Sequence, residues 1–119
     1  MTLKRRTIGL KGEEIALSFL SSLGYRLLAK NFRCCLGEID LIMQDGPVTV
    51  FVEVKTRRNL LYGAPQEAVS PAKQARIRRL AQFYLLTKNE RDTPLRFDVI
   101  AITLSKSGEP VIQHLKGVF

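Results

Sequence analysis

Glu38, Asp40, Glu53 and Lys55 fall within one stretch, residues 37–57, GEIDLIMQDGPVTVFVEVKTR. Carboxylates sharing a site cannot all stay ionised unless positive charge compensates them. A hard divalent cation, Mg²⁺ or Mn²⁺, does so while taking only one or two carboxylates itself, and water and phosphate oxygens fill its other positions. A nearby ammonium can then steady the attacking water or the charge developing on phosphorus. These residue types suit metal-assisted hydrolysis at a phosphate, with Glu38, Asp40 and Glu53 as candidate metal ligands and Lys55 beside the developing charge. The plain alternative is a solvated strand face, where a Glu-x-Lys ion pair contributes less than about 1 kcal/mol. Clustering weighs against it: the chain has 11 acidic residues against 19 basic ones, and three of the acids would share one face of one hairpin.

The hairpin follows from alternation. Val48, Val50, Val52 and Val54 fall on one face and Thr49, Phe51, Glu53 and Lys55 on the other, the period of a strand. Upstream, Ile39, Leu41 and Met43 alternate with Glu38, Asp40, Ile42 and Gln44, and Asp45-Gly46-Pro47 between the two runs is turn chemistry. Two registers are compatible with this pattern. A two-residue loop at Asp45-Gly46 sets Glu38 opposite Glu53, whereas a four-residue loop over 45–48 sets Asp40 opposite Glu53. Either keeps Glu38, Asp40, Glu53 and Lys55 on one face.

Other elements must bring further groups to this hairpin. Ile15, Ala16, Phe19, Leu20 and Leu23 recur at helical spacing and predict a helix over 12–23, closed by Gly24. At roughly 100° per residue, Gly12 lies near the centre of that stripe and Glu13 on its shoulder. From there Glu13 can either join the hairpin acids or simply offset the positive helix N-terminus. Residues 1–11, with Lys4, Arg5, Arg6 and Lys11, read as a flexible basic arm, leaving 12–119 as a single domain. A first strand is expected over 25–33. Beyond Lys55 come Arg57 and Arg58, placed for phosphate contacts, and a loop, NLLYGAPQEAV.

Ser70-Pro71 is a strong helix start, as N-cap and first helical residue. The helix should run to about Lys88 on Ile77, Leu80, Ala81 and Tyr84. Lys73 shares their stripe and must either snorkel out or find an anion, for which a substrate phosphate would serve. LRFDVIAITL, residues 95–104, predicts a strand buried on both faces, with Asp98 paired to an arginine for structural reasons. A last strand is expected over 111–115. The element order is α-β-β-β-α-β-β, a mixed α/β sheet flanked by helices.

Composition bounds the partners. A formal charge of +8 over 119 residues favours nucleic acid or another polyanion. Adjacent Cys34 and Cys35 do not readily meet disulfide geometry, and with a single histidine, His114, neither a sulfur–imidazole metal site nor a histidine triad is expected. No run of about 18 apolar residues is present, and the basic start lacks the apolar block of a signal peptide. A cytoplasmic protein without a membrane partner is therefore expected.

With these residues in hand, the chain resembles the PD-(D/E)xK restriction-endonuclease-like nuclease superfamily, whose core is α-β-β-β-α-β with an aspartate on its second strand and Glu-x-Lys on its third. The spacing of Asp40 and Glu53 is similar to that of compact members such as the archaeal Holliday-junction resolvases. More closely, GEIDLI, FVEVKTR, the Gly-Glu opening of the first helix, YGAPQEAV and RFDV resemble the bacterial YraN-like family, from Gly12 to about Ile102. Ile39 stands where the motif's name has proline. The resemblance implies Asp40 and Glu53 as the metal pair, Lys55 as the catalytic lysine and Glu13 as an added helix acid. It also implies a nuclease acting on DNA rather than RNA, on branched or structured DNA in particular. A homodimer would supply the two sites that cutting both strands of a junction requires. The rival expectation is a nucleic-acid-binding module that keeps the fold and charge without turnover, and a protein-interaction adaptor comes third.

Overall fold

The computed structural model describes residues 3–58, 69–90, 92–104 and 108–119, without the side chains of 3–8 and 10. The elements are α1 (Leu3–Ser22), β1 (Arg26–Cys34), β2 (Gly37–Asp45), β3 (Val48–Arg57), α2 (Pro71–Thr87), β4 (Leu95–Thr103) and β5 (Val111–Leu115). Of the YGAPQEAV loop, residues 62–68 lie outside the described residues, and Val69 is buried in the α2-side core.

The strands form one sheet in chain order, β1-β2-β3-β4-β5. All neighbours are antiparallel except β3 and β4, which run parallel because α2 carries the chain back between them. Asp45 pairs with Val48, so Gly46-Pro47 forms the loop and Gln44 faces Thr49. This is the register that sets Asp40 level with Glu53. Gly46 has φ +59 at the first loop position, where a glycine carries no steric penalty.

Each face of the sheet is covered by one helix. On the α1 side Ala16 and Leu20 pack with Leu41, Met43, Val50, Val52, Ile100 and Ile102. On the α2 side Ile77, Leu80, Ala81 and Tyr84 pack with Ile42, Phe51, Phe97 and Val99. The alternation of Val50 and Val52 against Phe51 thus divides two cores.

α2 begins as its sequence requires, with the Ser70 hydroxyl accepting the Lys73 N–H at 3.2 Å and Pro71 following it. Three expectations need correction. The helix expected over 12–23 begins at Leu3, so the segment read as a flexible arm is largely helical: Leu, Lys and Arg are good helix formers and extend α1 without an apolar stripe of their own. Leu23 falls beyond the end of α1 and is 51% exposed. Ile39 packs with the α2-side core rather than with Leu41 and Met43, because the pleat of β1 and β2 is interrupted beside Asp40.

Candidate active site

The site lies where β2 and β3 part. Their registered pairs end at Leu41 with Val52, while β3 continues to Arg57 paired only with β4. Past that point the backbone N–H of Val54 is taken by a side chain: it donates to Asp40 Oδ2 at 2.8 Å. Asp40 therefore sits in the crotch of a forked sheet, with Glu53 as its register neighbour on the other prong.

The interruption has a partner in β1. Asn31 lies between Lys30, which pairs with Leu41, and Phe32, which pairs with Ile39, and it holds φ +51. Such a conformation is uncommon for any residue but glycine, and asparagine tolerates it better than most. Its effect is that Ala29 and Phe32, three residues apart, both pack on the α2-side core. The Asn31 amide, in the orientation that satisfies both its ends, donates to Glu38 Oε1 and Glu13 Oε1, each at 3.0 Å. A neutral donor thereby holds a carboxylate of β2 beside a carboxylate of α1. Nothing in the apolar pattern marked Asn31; an asparagine within a strand run was the only available signal.

α1 reaches this point because of Gly12. A Cβ there would fall 1.7 Å from Thr56 Oγ1 and 2.8 Å from Thr56 Cβ, so the helix backbone rests directly on β3. The next residue, Glu13, is carried to the fork.

Glu53 is held from the opposite side. Lys73, in the first turn of α2, donates from Nζ to Glu53 Oε1 at 2.6 Å, and the Glu53 side chain is only 11% exposed. The acids therefore do not lie on one face, as unbroken alternation had predicted. Glu38 and Glu13 meet through Asn31, Glu53 is bound from α2, and Asp40 stands between them. Among the described residues, no three His, Cys, Asp or Glu side chains stand together as a metal-binding group. Glu38 is instead turned to Asn31 and to Arg33, whose Nε lies 3.4 Å from Oε2.

Electrostatically the carboxylates still form one site. Burial pushes the Asp40 carboxyl up to about 7, with the charges of Glu53, Glu13 and Glu38 adding to the rise and the Val54 hydrogen bond opposing it. Glu13 is also raised, first by burial and then, against the Asn31 hydrogen bond, by Glu38. Burial, with neighbouring carboxylates adding to it, thus makes ionisation at the fork costly.

The basic residues divide. Lys55 and Arg58 are exposed, whereas Arg57 is 8% exposed and donates to Thr103 Oγ1 at 3.4 Å. Arg57 is therefore turned inward rather than laid out for phosphate: as the last residue of β3 it pairs with Thr103 of β4. Asp98 has the structural role expected, with more partners than foreseen. Buried completely, it accepts from Arg96 Nε and Nη2, from Gly117 N and from His114 Nε2. An open concavity among Arg26, Gln44, Thr49, Tyr84 and Lys88 lies at the hairpin-turn end of the sheet, away from these acids.

The element order, the mixed sheet and the helix on each face define a restriction-endonuclease-like α/β domain. The model of a family described as "Uncharacterised protein family UPF0102" matches residues 12–102. UPF0102 proteins of Symbiobacterium thermophilum and Geotalea daltonii are 52% and 48% identical to the chain; each alignment covers 96% of it, and 97% and 90% of the respective relative. A third, from Nocardia farcinica, is 46% identical over 97% of the chain and 91% of its own length. The chain belongs to the UPF0102 family, the YraN-like family of the restriction-endonuclease-like superfamily. No helix among the described residues is long and apolar enough to cross a membrane.

Proposed function

We propose that the protein is a metal-dependent nuclease that hydrolyses phosphodiester bonds in DNA, with branched or structured DNA as the preferred class. The observation that carries this reading is the placement of Asp40 and Glu53 on facing prongs, each the next residue beyond the last registered pair, Leu41 with Val52, and close enough for the Glu53 charge to raise the Asp40 carboxyl. Mg²⁺ or Mn²⁺ needs only one or two carboxylates from protein. The donor set therefore fits a two-carboxylate site completed by water and substrate oxygens, and does not fit a three-carboxylate cage. The neighbouring carboxylates that raise the Asp40 carboxyl would be offset by a divalent cation.

When bound, the ion would supply an activated water and neutralise charge on the phosphoryl oxygens. The chain's own groups do the rest. Asp40, fixed by Val54 N–H, and Glu53, fixed from α2, present their oxygens at a set separation. Lys55 places an exposed ammonium two residues along the same prong, where it can meet charge on the phosphoryl oxygens. Arg58 and the chain's net charge of +8 hold the backbone of the nucleic acid without reading its sequence. Glu13 and Glu38, joined through Asn31, add negative charge on the α1 side.

The test is incubation with Mn²⁺ and a panel of linear, nicked, flap and four-way DNAs together with RNA. Metal-dependent cleavage of at least one DNA, lost in Asp40→Asn while binding persists, is the expected result. Salt-sensitive binding without cleavage of any substrate would instead make the protein a non-catalytic nucleic-acid-binding module.

A further inference from the structure

Lys73 stands in an unusual place for its charge. It is the third residue of α2, its N–H capped by Ser70, and the first turn contains no acidic residue. The N-terminal end of a helix carries partial positive charge and favours anions over cations. The partner that offsets this is Glu53, 20 residues away in sequence, with Nζ and Oε1 2.6 Å apart. Glu53 is also one of the two carboxylates assigned above to the metal. A divalent cation and this ammonium would therefore share or compete for one carboxylate, which Lys73 already holds at Oε1. Their exposures differ: the Lys73 side chain is 40% exposed against 11% for Glu53, so the lysine can leave on its flexible stem while the carboxylate stays.

We propose that Lys73 is the resident counter-ion of Glu53, which holds that carboxylate in place, yields it to the arriving metal ion, and is then free to meet a substrate phosphate. This rests on the nuclease reading and adds a coupling to it. The lysine weakens metal binding in the absence of nucleic acid and strengthens nucleic-acid binding once metal is present. Because binding linkage is reciprocal, nucleic acid must then strengthen metal binding equally. Lys73 is a positioning residue in this scheme, distinct from Lys55 on the strand.

The experiment compares the full chain with Lys73→Met, which keeps the stem and removes the charge, and Lys73→Arg, which keeps the charge. Mn²⁺ affinity is measured by calorimetry without nucleic acid, and binding of a short DNA junction is measured with and without Ca²⁺. For Lys73→Met, Mn²⁺ should bind roughly fivefold to tenfold more tightly, the scale of one partly buried ion pair, and the gain in DNA affinity on adding Ca²⁺ should shrink. Lys73→Arg should stay near wild type in both. Unchanged or weaker Mn²⁺ binding in a folded Lys73→Met protein overturns the counter-ion role while leaving the nuclease reading intact. Absence of Mn²⁺ binding in both wild type and Lys73→Met overturns both.

Discussion

Asp40 on β2 accepts the backbone N–H of Val54 on β3 at 2.8 Å, at a level where the two strands no longer pair. One carboxylate therefore does two things: it satisfies a donor that the opening of the sheet would otherwise orphan, and it offers its other oxygen to the fork. The two roles separate by substitution. Asp40→Asn keeps an acceptor for Val54 and removes the charge, so its folding stability at pH 8 should equal or exceed that of wild type. Asp40→Ala uncovers the N–H and should cost about 1–3 kcal/mol. Urea denaturation of the two variants checks the difference.

The elevated Asp40 carboxyl also fixes a pH dependence. Its folded value is about 7 against an ordinary 3.8, so between these the folded protein keeps a proton the unfolded chain has lost. That contribution is present in full below about pH 4 and disappears as pH rises through 7. Wild-type stability should fall relative to Asp40→Asn between pH 5 and pH 8. Mn²⁺, which competes with the proton, should raise the melting temperature more at pH 8 than at pH 5. Parallel pH profiles for wild type and Asp40→Asn would remove Asp40 as the titrating group.

Asn31 joins a backbone requirement to a side-chain one. Its φ of +51 suits glycine, and its amide bridges Glu13 and Glu38. Asn31→Gly loses only the bridge, whereas Asn31→Ala loses the bridge and strains the backbone, and should be roughly 1–2 kcal/mol less stable than the glycine variant. Adding Glu38→Gln to Asn31→Gly should recover part of the bridge's loss, since the two carboxylates then no longer repel. Thermal melts of the three proteins measure both steps.

Asp98 governs acid stability at the other end of the sheet. Burial raises its carboxyl, but hydrogen bonds from His114, then Arg96 and Gly117, outweigh this and bring it below the usual value. A depressed carboxylate contributes stability above its unfolded pKa and loses it as pH falls through the folded one. Wild-type protein should lose stability below about pH 4, and Asp98→Asn, already weakened, should show a shallower acid limb. At neutral pH, Asp98→Ala leaves Arg96 and His114 without their buried acceptor and should cost about 3–5 kcal/mol.

What the sequence made legible divides along physical lines. Periodicity predicted both strands of the hairpin, because Val50, Phe51 and Val52 sit where the ladder is regular. Ser70-Pro71 predicted the start of α2 because capping is local, and 111–115 matched β5. The fork was hidden: alternation assumes an unbroken pleat, and the break comes from one backbone angle at Asn31 and one side-chain bond from Asp40, neither of which changes the apolar pattern. The choice of Glu53 by Lys73 was hidden for a related reason. Helical spacing put the lysine on the buried stripe and left it either to snorkel out or to find an anion, and that the anion is Glu53 depends on how α2 lies across the sheet.

The approach of α1 to β3 rests on Gly12 and gives the last expected outcome. An added Cβ would meet Thr56 Oγ1 at 1.7 Å and Thr56 Cβ at 2.8 Å. Rotating the threonine moves the hydroxyl but not its Cβ, so Gly12→Ala must lift the helix. Alanine is otherwise the better helix former by about 1 kcal/mol, so a purely local effect would stabilise. We expect the opposite: a loss of about 1–3 kcal/mol from overpacking, with Glu13 carried away from the fork. Truncating the other side of the contact should show the coupling. Thr56→Ala in the Gly12→Ala background should destabilise less than in wild type, a non-additivity of at least about 0.5 kcal/mol in a double-mutant cycle. Strict additivity would mean that the helix and strand do not meet at this pair.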